Sequence, residues 1–98
     1  MPKLYEYLGI IIMFYSNEHE PIHVHGKHNG RECKAEIIMS NGVVASIRFL
    51  PVGVGLEINK QREFEVFVRA YVDDIIQKWI DFFVYKKPIQ PQIITKKI

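Results

Sequence analysis

The sequence predicts a small α+β fold in which an antiparallel sheet of three or four strands, arranged as a meander, carries one long C-terminal helix on one face. Two Asn-Gly pairs, at residues 29–30 and 41–42, each lie between strand-like segments, and such pairs favour tight hairpin turns. After residue 59, large apolar side chains recur three or four positions apart, which is the spacing of one helix face. A run of strands followed by a helix is typical of a sheet that is covered on one side.

Each predicted element follows from a change in the residue pattern. β-Branched and aromatic residues succeed one another over residues 8–15 without alternation, as in a strand that is buried on both faces. Pro21 cannot donate a hydrogen bond within a sheet, so the second strand is expected to begin near Ile22. The expected bounds are 8–15, 22–28, 31–39 and 43–50 for the strands, 60–84 for the helix and 86–98 for an irregular end.

Length and composition limit the class of protein. With 98 residues, 48% of them hydrophobic, we expect one domain over residues 1–98. The formal net charge of +2 does not favour nucleic acid as a partner. The lone Cys33 cannot form an internal disulfide, which indicates a cytoplasmic setting. The apolar stretch 8–15 is too short to span a bilayer, so no membrane association is expected.

A two-residue turn at residues 29–30 would fix which residues face each other in the first hairpin. The expected cross-strand pairs are His23 with Glu36, His25 with Lys34, and Lys27 with Glu32. Because side chains alternate along a strand, these six share one face, and Val24, Ala35 and Ile37 point to the other. The helix should cover the apolar face and leave the face with the histidines open.

The second hairpin and the open face carry two further expectations. A three-residue loop would align Ile37 with Ile47 and Met39 with Ala45, with Gly42 as its left-handed residue. Since the first strand is apolar on both sides, part of the open face needs a cover, either from the C-terminal segment or from a second copy of the chain. A homodimer is therefore one expectation.

All four histidines lie within ten positions, and no other part of the sequence concentrates so much metal-binding or proton-transfer chemistry. His23 and His25 are two positions apart on one strand, with Cβ atoms about 7 Å apart, so both imidazoles can lean toward one ion. Glu36 across the hairpin or His19 from the preceding loop is the expected third ligand. Such an open site for zinc, nickel or manganese would suit catalysis or sensing. His28 lies on the apolar side, beside the turn.

Other uses of the same residues stay open at this point. In metal-free acid-base chemistry, His23 and His25 would share proton transfer while Lys27 or Lys34 holds a phosphate, as in a small ribonuclease-type toxin. In a binding module, the open face would dock a protein partner. The simplest alternative is that the histidines are polar strand residues paired with Glu and Lys across a hairpin, each pair contributing roughly 0.2–1 kcal/mol.

The run Glu18-His19-Glu20-Pro21-Ile22-His23-Val24-His25 is similar to the Glu-His-x-Pro-Pro-His-Phe-His signature of a family of small bacterial proteins known as domain of unknown function 4160. The resemblance extends from Met1-Pro2 through Trp79 to Lys87-Pro88-Ile89. Ile22 and Val24 depart from the signature, whereas its three histidines are all present.

The resemblance implies a cytoplasmic bacterial protein that is encoded beside other small proteins, in an arrangement like that of toxin-antitoxin pairs, and so a protein partner encoded nearby. From residues and resemblance together, we expect a non-enzymatic binding or regulatory module with a His-rich open sheet face that binds a divalent metal. The alternative is a small metal- or His-dependent hydrolase or ribonuclease-type toxin, with His23, His25 and Lys27 as its candidate catalytic residues.

Overall fold

The structure is a computed structural model and describes residues 3–15 and 21–98. In this part of the chain, a mixed sheet forms one layer and two helices form the other. The strands are β1 (Lys3–Tyr7), β2 (Ile10–Met13), β3 (Ile22–His28), β4 (Arg31–Ser40), β5 (Val43–Val52) and β6 (Gln92–Ile94). The helices are α1 (Ile58–Ala70) and α2 (Val72–Trp79), and a π-helical turn, Ile80–Val84, follows α2. The spatial strand order is β5-β4-β3-β2-β1-β6. Neighbouring strands are antiparallel except β1 and β6, which are parallel.

The predicted fold of three or four antiparallel strands with one long helix is therefore wrong. The first cause is a turn at Leu8 and Gly9, which separates β1 from β2 inside the segment that the sequence predicts as one strand. Both residues have positive φ, +51° and +83°, as in the tight turns that join hairpin strands. Lys60 of α1 donates a hydrogen bond to the Leu8 carbonyl at 2.7 Å, which fixes the turn against the helix. A leucine in this conformation is disfavoured by roughly 1–2 kcal/mol, so Gly9 is the only turn signal that the sequence carries here.

The second cause is a break in the predicted helix at Tyr71, where φ is −108° and ψ is 15°. The Tyr71 ring stacks on Phe67, with 4.4 Å between ring centres, and meets Tyr5 of β1 edge-on. Beyond the break, Asp74 of α2 accepts a hydrogen bond from the Tyr5 hydroxyl. Burial, and then this hydrogen bond, raise the pKa of Tyr5 far above its usual value. Neither glycine nor proline marks the break, so periodicity alone predicts one continuous helix.

The third cause is the C-terminal segment, which is predicted to be irregular but contributes β6. This strand pairs with β1 so that Gln92 lies beside Tyr5 and Ile94 beside Tyr7. The backbone N–H of Ile98 donates to the Tyr7 hydroxyl at 3.0 Å. The segment therefore extends the edge of the sheet.

The registers of the two central hairpins decide which side chains share a face. All three predicted pairs between β3 and β4 are confirmed. Between β4 and β5, Ile37 pairs with Ile47 as expected, but Met39 pairs with Val44 and not with Ala45. The turn contains only two residues, and the extra residue forms a bulge in β5. Ala45, at this bulge, is exposed and not buried under a helix.

The buried face of the sheet packs closely against α1. Val24 and Ala35 are fully buried, and so are Phe64 and Phe67 of α1. At Gly26, a Cβ atom would lie 2.6 Å from the Phe64 ring, so the aromatic ring occupies the space that any other residue would need. Gly26 thus lets the helix approach the centre of the sheet.

The change Gly26→Ala is expected to lower the free energy of unfolding by about 1–3 kcal/mol, because the new methyl group overlaps the Phe64 ring. Urea denaturation measures the loss. In a Phe64→Leu background the same change should cost clearly less, since the smaller side chain leaves room. Equal losses in both backgrounds would show that the close contact is not the cause.

Candidate functional site

The candidate site lies on the sheet face opposite α1, where side chains of β3 and β4 form two adjacent rows. We call this surface the histidine face and define it by His23, His25, Lys27, Glu32, Lys34 and Glu36. Alternation along both strands puts the six side chains on one side, while Val24 and Ala35 between them point into the core. The same turn that sets the hairpin register therefore assembles the site.

Glu32 is the centre of the hydrogen-bonded part of the histidine face. Its carboxylate accepts a hydrogen bond from Nδ1 of His25 at 2.8 Å and from the Tyr15 hydroxyl at 3.1 Å. The ammonium group of Lys27 lies 3.7 Å from the same carboxylate. The side chains of His25 and Glu32 are only 8% and 16% exposed, so this network is largely shielded from water. Shielded groups of this kind hold one another in fixed geometry.

Tyr15 is a site residue that sequence reasoning missed. Its ring meets the His25 ring edge-on at 4.3 Å, and the Lys27 ammonium lies 5.2 Å from the ring centre. The hydrogen bond with Tyr15, and to a lesser degree the charge of Glu32, raise the pKa of Lys27 above its usual value. Tyr15 follows Met13 by two positions and so points to the same face as His25, but the pairing of Met13 with His25 is known only from the structure.

His23 is the half-buried neighbour of His25. Its Nδ1 donates a hydrogen bond to the Pro21 carbonyl at 2.7 Å. Its ring centre lies 5.4 Å from that of His25 and 5.5 Å from that of Trp79. The neighbouring backbone and two aromatic rings thus restrict the orientation of this imidazole.

The oxygen partners define the tautomers of His23 and His25. Neither a carbonyl nor an ionised carboxylate can donate a hydrogen bond, so Nδ1 carries a proton in both rings, and in the neutral form of each ring the lone pair is on Nε2. Histidines that bind metals are typically oriented by such an oxygen acceptor on the second ring nitrogen. Two imidazoles on one tetrahedral ion would have ring centres about 5 Å apart, which is close to the 5.4 Å observed here.

Glu36, one of the two expected third ligands, lies on the same face but is paired with basic side chains. Glu36 forms ion pairs with Lys34 at 3.4 Å and with Arg48 of β5 at 3.6 Å. Within residues 3–15 and 21–98, no three His, Cys, Asp or Glu side chains are grouped closely enough to hold a metal ion. His19, the other expected ligand, lies outside the described residues.

His28 and Cys33 lie away from the histidine face. Nδ1 of His28 hydrogen-bonds to Glu57 at 3.0 Å, beside the start of α1. The pKa of Glu57 is lowered, first by its own backbone N–H and then by His28. Cys33 is 1% exposed opposite Gly26, and burial raises the pKa of its thiol, so it is a core residue and not a nucleophile.

Comparison with known proteins identifies the family. A family model described as domain of unknown function (DUF4160) matches residues 9–80, which run from the turn before β2 to the end of α2 and include the whole histidine face. The chain belongs to this family. No curated protein and no solved structure matches it. Among the helices of the described residues, none is long and apolar enough to cross a membrane.

Replacing Tyr15 with Phe should lower the free energy of unfolding by about 1–2 kcal/mol, because Glu32 loses a hydrogen-bond donor in a shielded network. Tyr85→Phe serves as the control, since Tyr85 is 62% exposed. Chemical denaturation of both variants gives the comparison. A loss at Tyr15 no larger than that at Tyr85 would mean that the hydroxyl does not support the network.

Proposed function

We propose that the chain is a non-enzymatic binding module and that the histidine face binds one divalent transition-metal ion through Nε2 of His23 and Nε2 of His25. One observation carries the proposal. Both Nδ1 atoms are engaged by oxygen acceptors, which directs the lone pair of each ring to Nε2.

The fixed orientation of the two rings also supports metal binding. His25 lies against Tyr15 and Glu32, and His23 lies against Trp79. Side chains that are already ordered lose little rotational freedom when a ligand binds, so more of the coordination energy remains as affinity. Water molecules, or groups supplied by a bound partner, would fill the other coordination positions of the ion.

Ligand type sets the expected metal preference. Imidazole nitrogens suit zinc, nickel and copper, whereas manganese favours oxygen ligands. A site built on two imidazoles is therefore expected to bind nickel and zinc more tightly than manganese. The protein partner encoded nearby, the toxin-antitoxin-like arrangement and the homodimer stay predictions from the sequence.

Calorimetric titration of the metal-free chain with zinc, nickel and manganese tests the metal proposal. We expect binding of nickel and zinc with one ion per chain, and an affinity that falls at least about tenfold, or 1.4 kcal/mol, in both His23→Ala and His25→Ala. His28→Ala is the matched control, because His28 also has its Nδ1 on a carboxylate but lies on the other side of the sheet.

Two results would contradict this function. One is the absence of binding heat in the unmodified chain with any of the three metals. The other is a loss of affinity in the His28 variant as large as that in the His23 and His25 variants, which would indicate that the metal binds histidines of the chain without preference for one site.

One observation favours a second candidate function, acid-base cleavage of a phosphoester. The hydrogen bond of 2.8 Å between His25 Nδ1 and Glu32 is the arrangement that orients a histidine general base. The lysines that would hold a phosphate are less favourable, since Lys27 lies near Glu32 and Lys34 near Glu36. These ion pairs compete with an anionic substrate.

Cleavage of a labelled single-stranded RNA, measured in the presence of a chelator, tests the second candidate. If His25 acts as the base, the rate in His25→Ala should fall by about a hundredfold or more. The His28→Ala protein, purified in the same way, should keep its full rate. Equal rates in the His25 variant and the unmodified chain would assign any cleavage to a contaminating nuclease and remove this candidate.

A further inference from the structure

Glu32 and Glu36 lie two positions apart on β4 and share the histidine face, yet their partners differ. Their side chains have nearly the same exposure, 16% and 15%. Glu32 hydrogen-bonds to His25, whereas Glu36 forms ion pairs with Lys34 and Arg48. Comparing substitutions at Glu32 and Glu36 therefore separates the effect of a carboxylate hydrogen bond from the effect of negative charge near the histidines.

The position of Glu32 is fixed from more than one side. The Tyr15 hydroxyl lies 3.1 Å and 3.2 Å from the two carboxylate oxygens, and Lys27 approaches the oxygen that His25 does not use. The carboxylate therefore does not need His25 to hold its place. An acceptor that is fixed by other groups can impose its preference on the histidine.

A neutral histidine can carry its proton on either ring nitrogen, and only the nitrogen without the proton can bind a metal. The carboxylate of Glu32 accepts the Nδ1 proton of His25 and cannot donate one in return. This hydrogen bond also makes the opposite nitrogen more basic, which strengthens a metal-ligand bond. A glutamine at the same position could either accept or donate, so the preference for one tautomer would be lost.

We propose that Glu32 is a positioning residue that holds His25 in its Nδ1–H tautomer and thereby raises the metal affinity of the histidine pair. The part that concerns affinity rests on the proposed metal-binding function. The part that concerns the tautomer does not, because it rests on the hydrogen bond between His25 and Glu32 alone.

The test combines a tautomer measurement with a metal titration on the full chain. In the uniformly 15N-labelled, metal-free protein at about pH 8.5, two units above the usual histidine pKa, long-range 1H–15N correlations identify the protonated nitrogen of each ring. The His25→Ala spectrum assigns the His25 signals. The proteins compared are the unmodified chain, Glu32→Gln and the matched control Glu36→Gln.

We expect His25 to be in the Nδ1–H form in the unmodified chain and in Glu36→Gln, and to show a mixture or the Nε2–H form in Glu32→Gln. The dissociation constant for zinc should rise about 10- to 100-fold in Glu32→Gln and stay unchanged in Glu36→Gln. If Glu32→Gln does not fold, Glu32→Asp takes its place. This variant keeps the carboxylate but shortens its reach, and it should show a partial loss of the Nδ1–H form.

Each contrary result has a distinct meaning. An unchanged His25 tautomer in a folded Glu32 variant would overturn the positioning role. So would a loss of zinc affinity in Glu36→Gln as large as that in Glu32→Gln, since negative charge alone would then explain the effect. If the unmodified chain binds no zinc while the tautomer responds to Glu32 as expected, the positioning role holds and the metal-binding function fails.

Discussion

The turn between β3 and β4 is the constraint on which both faces of the protein depend. Asn29 and Gly30 have φ values of +51° and +73°, a combination that suits a two-residue hairpin connection. Because side chains alternate along a strand, a slip of one residue would move the histidines into the core and Val24 to the surface. The Gly26 position, which α1 approaches closely, depends on the same register. Core packing and the geometry of the histidine face are therefore set together.

Local signals in the sequence were sufficient to predict the strand register where the turn residues and the alternation of polar and apolar side chains indicated the same pairing. The Asn-Gly pair predicts the register of β3 and β4, and with it the face on which each histidine lies. Three features had no such signal. Leu8 adopts a left-handed conformation that sequence statistics disfavour, Tyr71 at the helix break contacts the distant ring of Tyr5, and β6 pairs with the edge of β1. Each depends on tertiary contacts between residues far apart in the chain.

The candidate site, like the fold, could be predicted from the sequence only in part. The predicted pairing of His23 with Glu36 is confirmed, and it made Glu36 a candidate metal ligand beside the histidines. The carboxylate that hydrogen-bonds to His25, however, belongs to Glu32. Glu32 lies diagonally across the ladder, since the residue directly opposite His25 is Lys34. Diagonal neighbours are about 7–8 Å apart at the backbone, within reach of long side chains. Register alone identifies the residues that can meet, and the side-chain partners decide which of them do.

The bulge at Ala45 has a consequence for how the protein meets other proteins. β5 is an outer strand of ten residues, and a regular strand of that length offers a template on which another polypeptide can add a further strand. The bulge bends this edge and interrupts its repeat of donors and acceptors. Near the C-terminal end of β5, Pro51 has no N–H that could donate to an added strand. Arg48 lies between the bulge and Pro51, and its charged side chain is 61% exposed. The irregularity that shifts one residue pair thus also protects the longest strand edge against unwanted aggregation.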